Sequence, residues 1–170
     1  MFSNLSTGAT LKSLGIGVAL AVALLFGLSP TGVISGALPG FGASLPTITV
    51  YQSPTCGCCG KWVQHLEDEG FTVESEMRQD MGAVKQQAGV PRQLRSCHTG
   101  IAGDYVIEGH VPADDIKALL NNAPNGIQGL TVPGMPVGSP GMEQGDRLDP
   151  YDVLAFTSEG GTRVVASYGQ

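Results

Sequence analysis

Charge is scarce in this chain, and positive charge is scarcer still. Only 14% of its 170 residues are charged, with nine Lys+Arg against fifteen Asp+Glu and a formal charge of −6. No basic run occurs, which excludes the electrostatic footprint of a nucleic-acid-binding protein. The familiar catalytic signatures are missing too. There is no H-E-x-x-H, no G-x-S-x-G, no Gly-rich phosphate loop followed by Lys-Ser/Thr, and no persuasively spaced carboxylate pair. Metalloprotease, α/β-hydrolase and nucleotide chemistry are thereby set aside. Cysteine is sparse, with four in all, and three of them crowd into positions 56–59, an arrangement that resists a framework of two structural disulfides.

What is present begins with an apolar leader. Lys12, the one charged residue before Lys61, precedes the fifteen apolar or small residues Leu14 to Leu28. That length suits a secretory h-region better than a membrane span, which needs about 20 residues. Its glycines and lack of a polar face speak against a buried core helix. Residues 1–37 are therefore expected to be a signal peptide, or an N-terminal anchor if Ser29 to Leu38 extends the run, and the protein to be exported. Residues 38–46, rich in Gly, Pro and Ser, read as a linker.

From Thr47 the patterns turn globular. Thr47 to Gln52 alternates as a strand, and Trp62, Val63 and Leu66 form a helical stripe closed by Gly70. Phe71 to Ser75 reads as a second strand. Asp80 is placed to cap a helix ending near Ala88, and Pro91 breaks the chain after it. Leu94 to Ala102 and Tyr105 to Glu108 suggest a hairpin turned at Gly103-Asp104. A helix after Pro112 would bury Ile116, Leu119 and Leu120. The order β-α-β-α-β-β-α over 47–122 predicts an α/β, thioredoxin-like core. Residues 123–170 read as an extension of the same domain, with a long Gly/Pro/Met loop to Pro150 and little regular structure. A final hairpin, Val153–Phe156 with Arg163–Ala166, turns at Glu159-Gly160-Gly161. A loop of that length inside a compact chain is usually functional or disordered, and the strands after it favour function.

The chemistry concentrates in Ser53-Pro54-Thr55-Cys56-Gly57-Cys58-Cys59-Gly60-Lys61-Trp62, where the first strand gives way to the first helix. Backbone N–H groups and the helix dipole favour thiolates at such a place. Cys56 and Cys59 have the C-x-x-C spacing of a redox dithiol, and Cys58 between them would interfere with plain dithiol chemistry by forming mixed disulfides. For a soft metal the same crowding is useful, because thiolates bind Cu(I) and can bridge two ions. Cys97 falls at the start of the hairpin, which in a thioredoxin-like order faces the first strand-to-helix turn. Met135, Met142, His98 and His110 are further ligand candidates. His65 is expected to face solvent and Trp62 to pack beside the site. Three readings stand on these residues: a copper-binding site, a metal-free thiol–disulfide oxidoreductase, and a structural zinc site.

Four longer motifs carry a resemblance. The cysteine turn from Tyr51 to Trp62, Leu94-Arg95-Ser96-Cys97-His98-Thr99, the run from Tyr105 to Pro112 and the run from Pro133 to Glu143 resemble the CopG-like family of bacteria. The resemblance spans residues 47–170. It implies a periplasmic, thioredoxin-like protein of copper resistance that holds more than one Cu(I) as a small thiolate cluster. On this chain the implied ligands are Cys56, Cys58, Cys59 and Cys97. It further implies copper redox activity, with copper-resistance or electron-transfer proteins as partners. Membrane contact is expected only through the N-terminal segment, if the apolar run stays uncleaved.

Overall fold

The computed structural model describes residues 44–122 and 124–170. The expected leader, and the linker up to residue 43, lie outside the described residues. Among those described, no helix is long and apolar enough to cross a membrane.

Alternation makes the first strand, β1 (Ile48–Gln52), with Ile48, Val50 and Gln52 turned inward. Helix α1 (Cys59–Asp68) buries Cys59, Trp62 and Leu66, spaced three and four apart on one stripe. It stops where Gly70 adopts φ +92°, and Phe71 N–H then donates to the Leu66 carbonyl. The next strand, β2 (Val73–Met77), runs parallel to β1, with Ile48 beside Val73. Helix α2 (Met81–Gln87) is capped by the Asp80 carboxylate, which accepts from Ala83 N–H at 2.9 Å. A single 3-10 turn at Arg92–Leu94 leads into the hairpin β3 (Thr99–Ala102) and β4 (Tyr105–Glu108). After it come α3 (Ala113–Asn122), β5 (Gly129–Thr131), β6 (Tyr151–Phe156) and β7 (Thr162–Tyr168).

The strands form one mixed sheet in the order β2-β1-β3-β4-β5-β6-β7. The fold is a mixed α/β arrangement of seven strands and three helices among the described residues. Its main apolar cluster brings Ile48, Trp62, Leu66, Ile107, Ile116 and Val153 together. Each aliphatic side chain fully buried there contributes about 1.5–3 kcal/mol.

Several expectations need correction. The second strand begins at Val73 and ends at Met77, two residues later at each end than the sequence suggests. Leu120 is only half-buried, while Ile116 and Leu119 are buried as expected. The stretch read as irregular contains β5, which pairs parallel with β4 and antiparallel with β6. Three buried residues, Gly-Leu-Thr, leave no alternation to detect. Its glycine is required: a Cβ on Gly129 would lie 1.8 Å from the Val106 carbonyl oxygen.

Candidate metal centre

Strand register brings the cysteines together. Tyr51 near the end of β1 pairs with Thr99 at the start of antiparallel β3. The turn that leaves β1 and the loop that enters β3 therefore share one end of the sheet. In the turn, Cys56 N–H donates to the Ser53 carbonyl at 3.0 Å, and Cys58 is the N-cap residue of α1. Lys61 and Trp62 N–H groups both donate to the Cys58 carbonyl. Cys56 and Cys59 are joined by a disulfide with Cα atoms 5.6 Å apart, and Cys58 and Cys97 are free. The Cys58 sulfur lies 3.7 Å from that of Cys56 and 3.9 Å from that of Cys97. All four sulfurs fall within 4.8 Å of one another.

A second grouping shares Cys97. Its sulfur is 3.1 Å from His98 Nδ1 and 3.1 Å from His110 Nε2. His110 Nδ1 lies 2.8 Å from the Pro140 carbonyl oxygen, which can only accept, so Nδ1 carries the proton. The Nε2 lone pair of the neutral ring thus faces the Cys97 sulfur, the tautomer a metal ligand requires. His98 packs on Trp62 with ring centroids 4.2 Å apart and meets His110 edge-on at 4.9 Å. Trp62 is fully buried and donates its indole N–H to the Val111 carbonyl at 2.9 Å, as core packing beside the site.

Burial governs the protonation of these groups. It pushes the Cys97 thiol up to about 12, with the neighbouring Cys58 adding to the rise. It pushes His98 well below the ordinary imidazole value, helped by His110 and Lys85. His110 is lowered by burial as well, partly opposed by its bond to Pro140 and by Glu143.

The Gly/Pro/Met loop lies against the cysteine turn. Gly141 has φ +83°, and a Cβ there would stand 2.7 Å from Trp62 N at the start of α1. Met142, Glu143 and Gln144 join Gly57, Cys58 and Lys61 around a surface cavity of about 230 Å³. Of the two loop methionines, Met142 is therefore beside the thiols, whereas Met135 is 53% exposed.

Two features escape a reading of the sequence. His65 does not simply face solvent: it is half-buried, and its Nε2 accepts from Ala113 N–H at 3.1 Å, at the first residue of α3. Beneath Cys97, the fully buried Glu108 carboxylate meets Lys85 Nζ at 2.7 Å. A charged residue closing the apolar run Tyr105-Val106-Ile107 is the one local sign of it.

Two solved structures of copper resistance protein CopG, form 1 and form 2, are similar to the chain. Form 1 is 47% identical, covering 74% of this chain and 99% of its own, with a TM-score of 0.70. Form 2 is 48% identical, covering 72% of this chain and 98% of its own, with a TM-score of 0.69. The chain belongs to the CopG family. A family model described as "Protein of unknown function, DUF411" matches residues 94–142. That stretch holds Cys97, both buried histidines and Met142, while the C-x-C-C turn lies before it. No curated protein matches the chain.

Proposed function

We propose that this protein is an exported copper-binding protein of copper resistance, holding Cu(I) on Cys56, Cys58, Cys59 and Cys97. The observation that carries this reading is the convergence of four sulfurs within 4.8 Å. The name of its relatives, copper resistance protein, supports a copper-related function. Thiolate sulfur is the soft donor that Cu(I) prefers over harder ligands. Four thiolates on one Cu(I) would leave excess negative charge, so sharing them among several ions is favoured. His110, with its lone pair toward Cys97, and Met142, at the cavity beside Cys58, are candidates to complete the coordination. We read the first seven elements as a thioredoxin-like core, on their order and on the position of the cysteines between β1 and α1. The apolar leader supports export, and the periplasm is the compartment that the family resemblance implies.

A redox role fits the same residues. Closing the Cys56–Cys59 disulfide from two thiols releases two electrons and two protons. Those electrons would convert two Cu(II) to two Cu(I). The disulfide is also the observation that favours a metal-free thiol–disulfide oxidoreductase as the second reading. A structural zinc site is disfavoured, since adjacent Cys58 and Cys59 reach one tetrahedral ion only with strain.

Anaerobic Cu(I) titration of the reduced protein, followed by native mass spectrometry, tests the proposal. More than one Cu(I) per chain, falling in each Cys→Ser variant, is the expected result. At most one weakly held Cu(I), together with rapid reduction of insulin disulfides, would overturn it.

A further inference from the structure

The loop carrying Cys97 is anchored from below by a buried charge. Glu108 Oε1 accepts from Ser96 N–H at 2.6 Å and from Lys85 Nζ at 2.7 Å. Its Oε2 accepts from the Thr99 hydroxyl at 2.7 Å, and Lys85 Nζ also donates to that hydroxyl oxygen at 3.1 Å. Lys85 and Thr99 are buried with it, and Glu108 is 0% exposed. The carboxylate therefore grips the chain at residue 96 and again at residue 99, on either side of Cys97 and His98.

A buried ion pair is a poor means of stabilising a fold, because desolvation cancels much of its attraction and an apolar replacement is often as stable. What it supplies here is placement. A carboxylate takes donors on both oxygens at once, and charge assistance makes those bonds short and strong. From the same rigid base, the Cys97 sulfur meets Cys58 at 3.9 Å and two imidazole nitrogens at 3.1 Å each. We infer that Glu108 is a positioning residue for Cys97, with Thr99 as its second anchor and Lys85 as its counter-charge. Its purpose rests on the thiol-site reading above, but its geometric content does not need metal.

The test is the rate at which metal-free protein, with the Cys56–Cys59 disulfide intact, joins Cys58 to Cys97 under diamide. The new bond is followed by peptide mapping and compared with the thermal midpoint of the same samples. The variants are Glu108→Gln, Thr99→Val and Thr99→Ser. Wild type and Thr99→Ser should close at similar rates. Thr99→Val, which loses the hydroxyl's bond to Glu108 and its bond from Lys85 at nearly constant volume, should slow closure by about tenfold. Glu108→Gln, which loses charge-assisted bonds at both ends of the grip, should slow it by more, about a hundredfold. Rates within twofold of wild type in both Thr99→Val and Glu108→Gln, with lowered thermal midpoints, would overturn the inference, since the network would then hold only the fold. If Glu108→Gln does not fold, the contrast between Thr99→Val and Thr99→Ser decides alone. Slowed closure in protein whose wild type binds no Cu(I) would leave the positioning role standing and remove the copper reading.

Discussion

Cys58 and Cys97, thirty-nine positions apart in the chain, hold their sulfurs 3.9 Å apart at one end of the sheet. Neither belongs to the disulfide, so the site contains one oxidised pair and one free pair at the same time. The free pair joins the two halves of the site. Cys58 is fixed by the start of α1, whereas Cys97 depends on the loop that enters β3. The relation between them is therefore sensitive both to redox state and to how the loop is held.

The first prediction concerns loading. Two of the four sulfurs are unavailable to metal while Cys56 and Cys59 are joined. Protein treated with reductant and then freed of it should take up more Cu(I) than protein left oxidised, with all four thiols accessible. Native mass spectrometry of the two samples, titrated side by side without oxygen, measures the difference. Equal loading would show that the disulfide does not gate the site.

Much of this arrangement is legible in the chain. Alternation marks β1, the stripe of Trp62 and Leu66 marks α1, and the order of elements brings Cys97 toward the C-x-C-C turn. Other parts are not. β5 is too short and too buried to show a period, and its parallel pairing to β4 is set by tertiary packing. His110 reaches Cys97 because Gly109, at φ +74°, turns the chain after β4, and a lone glycine does not say which way it turns. Lys85 on α2 and Glu108 on β4 are 23 residues apart, and nothing local to either names its partner.

The second prediction separates the four sulfurs from the imidazoles. Replacing Cys58 or Cys97 by Ser removes a soft donor and should lower the number of Cu(I) ions retained against a competing chelator. His110→Gln keeps a side chain of similar reach but loses the ring-nitrogen lone pair that faces Cys97. It should weaken retention by less than either cysteine change, about tenfold if His110 acts from outside the thiolate set. Retention in His110→Gln below that of Cys97→Ser would place the histidine among the principal ligands instead.

The third concerns the loop over the turn. Gly141→Ala puts a side chain at φ +83° and 2.7 Å from Trp62 N. The backbone conformation alone costs about 1–2 kcal/mol, and the contact forces the loop away from α1. The expected outcome is a lower thermal midpoint together with faster alkylation of Cys58, because Met142 and Glu143 border the same cavity. Measuring iodoacetamide labelling of Cys58 by mass spectrometry checks it. Unchanged labelling would mean that the loop does not shield that sulfur.

The last prediction follows from the buried histidines in metal-free protein with the Cys56–Cys59 disulfide intact. Burial lowers the pKa of His98 well below 6.5, and that of His110 is lowered too. In the unfolded chain both rings take protons near 6.5, so below that pH the unfolded state binds more protons than the native state. The stability gained by keeping them neutral is therefore present above 6.5 and is lost as pH falls toward the native values. The slope is about 1.4 kcal/mol per pH unit for each histidine in that window. Cys97 works in the opposite range. Its native value of about 12 lies above the ordinary 9.0, so its contribution is intact below 9 and is lost as pH rises through the native value. Urea midpoints measured from pH 7 down to pH 5 should fall steadily, and His98→Phe, if it folds, should flatten part of the decline. Phe keeps the aromatic contact with Trp62 without a site that must stay unprotonated. A wild-type midpoint that stays level to pH 5 would mean that the imidazoles protonate in place, with water reaching the space between Trp62 and His110.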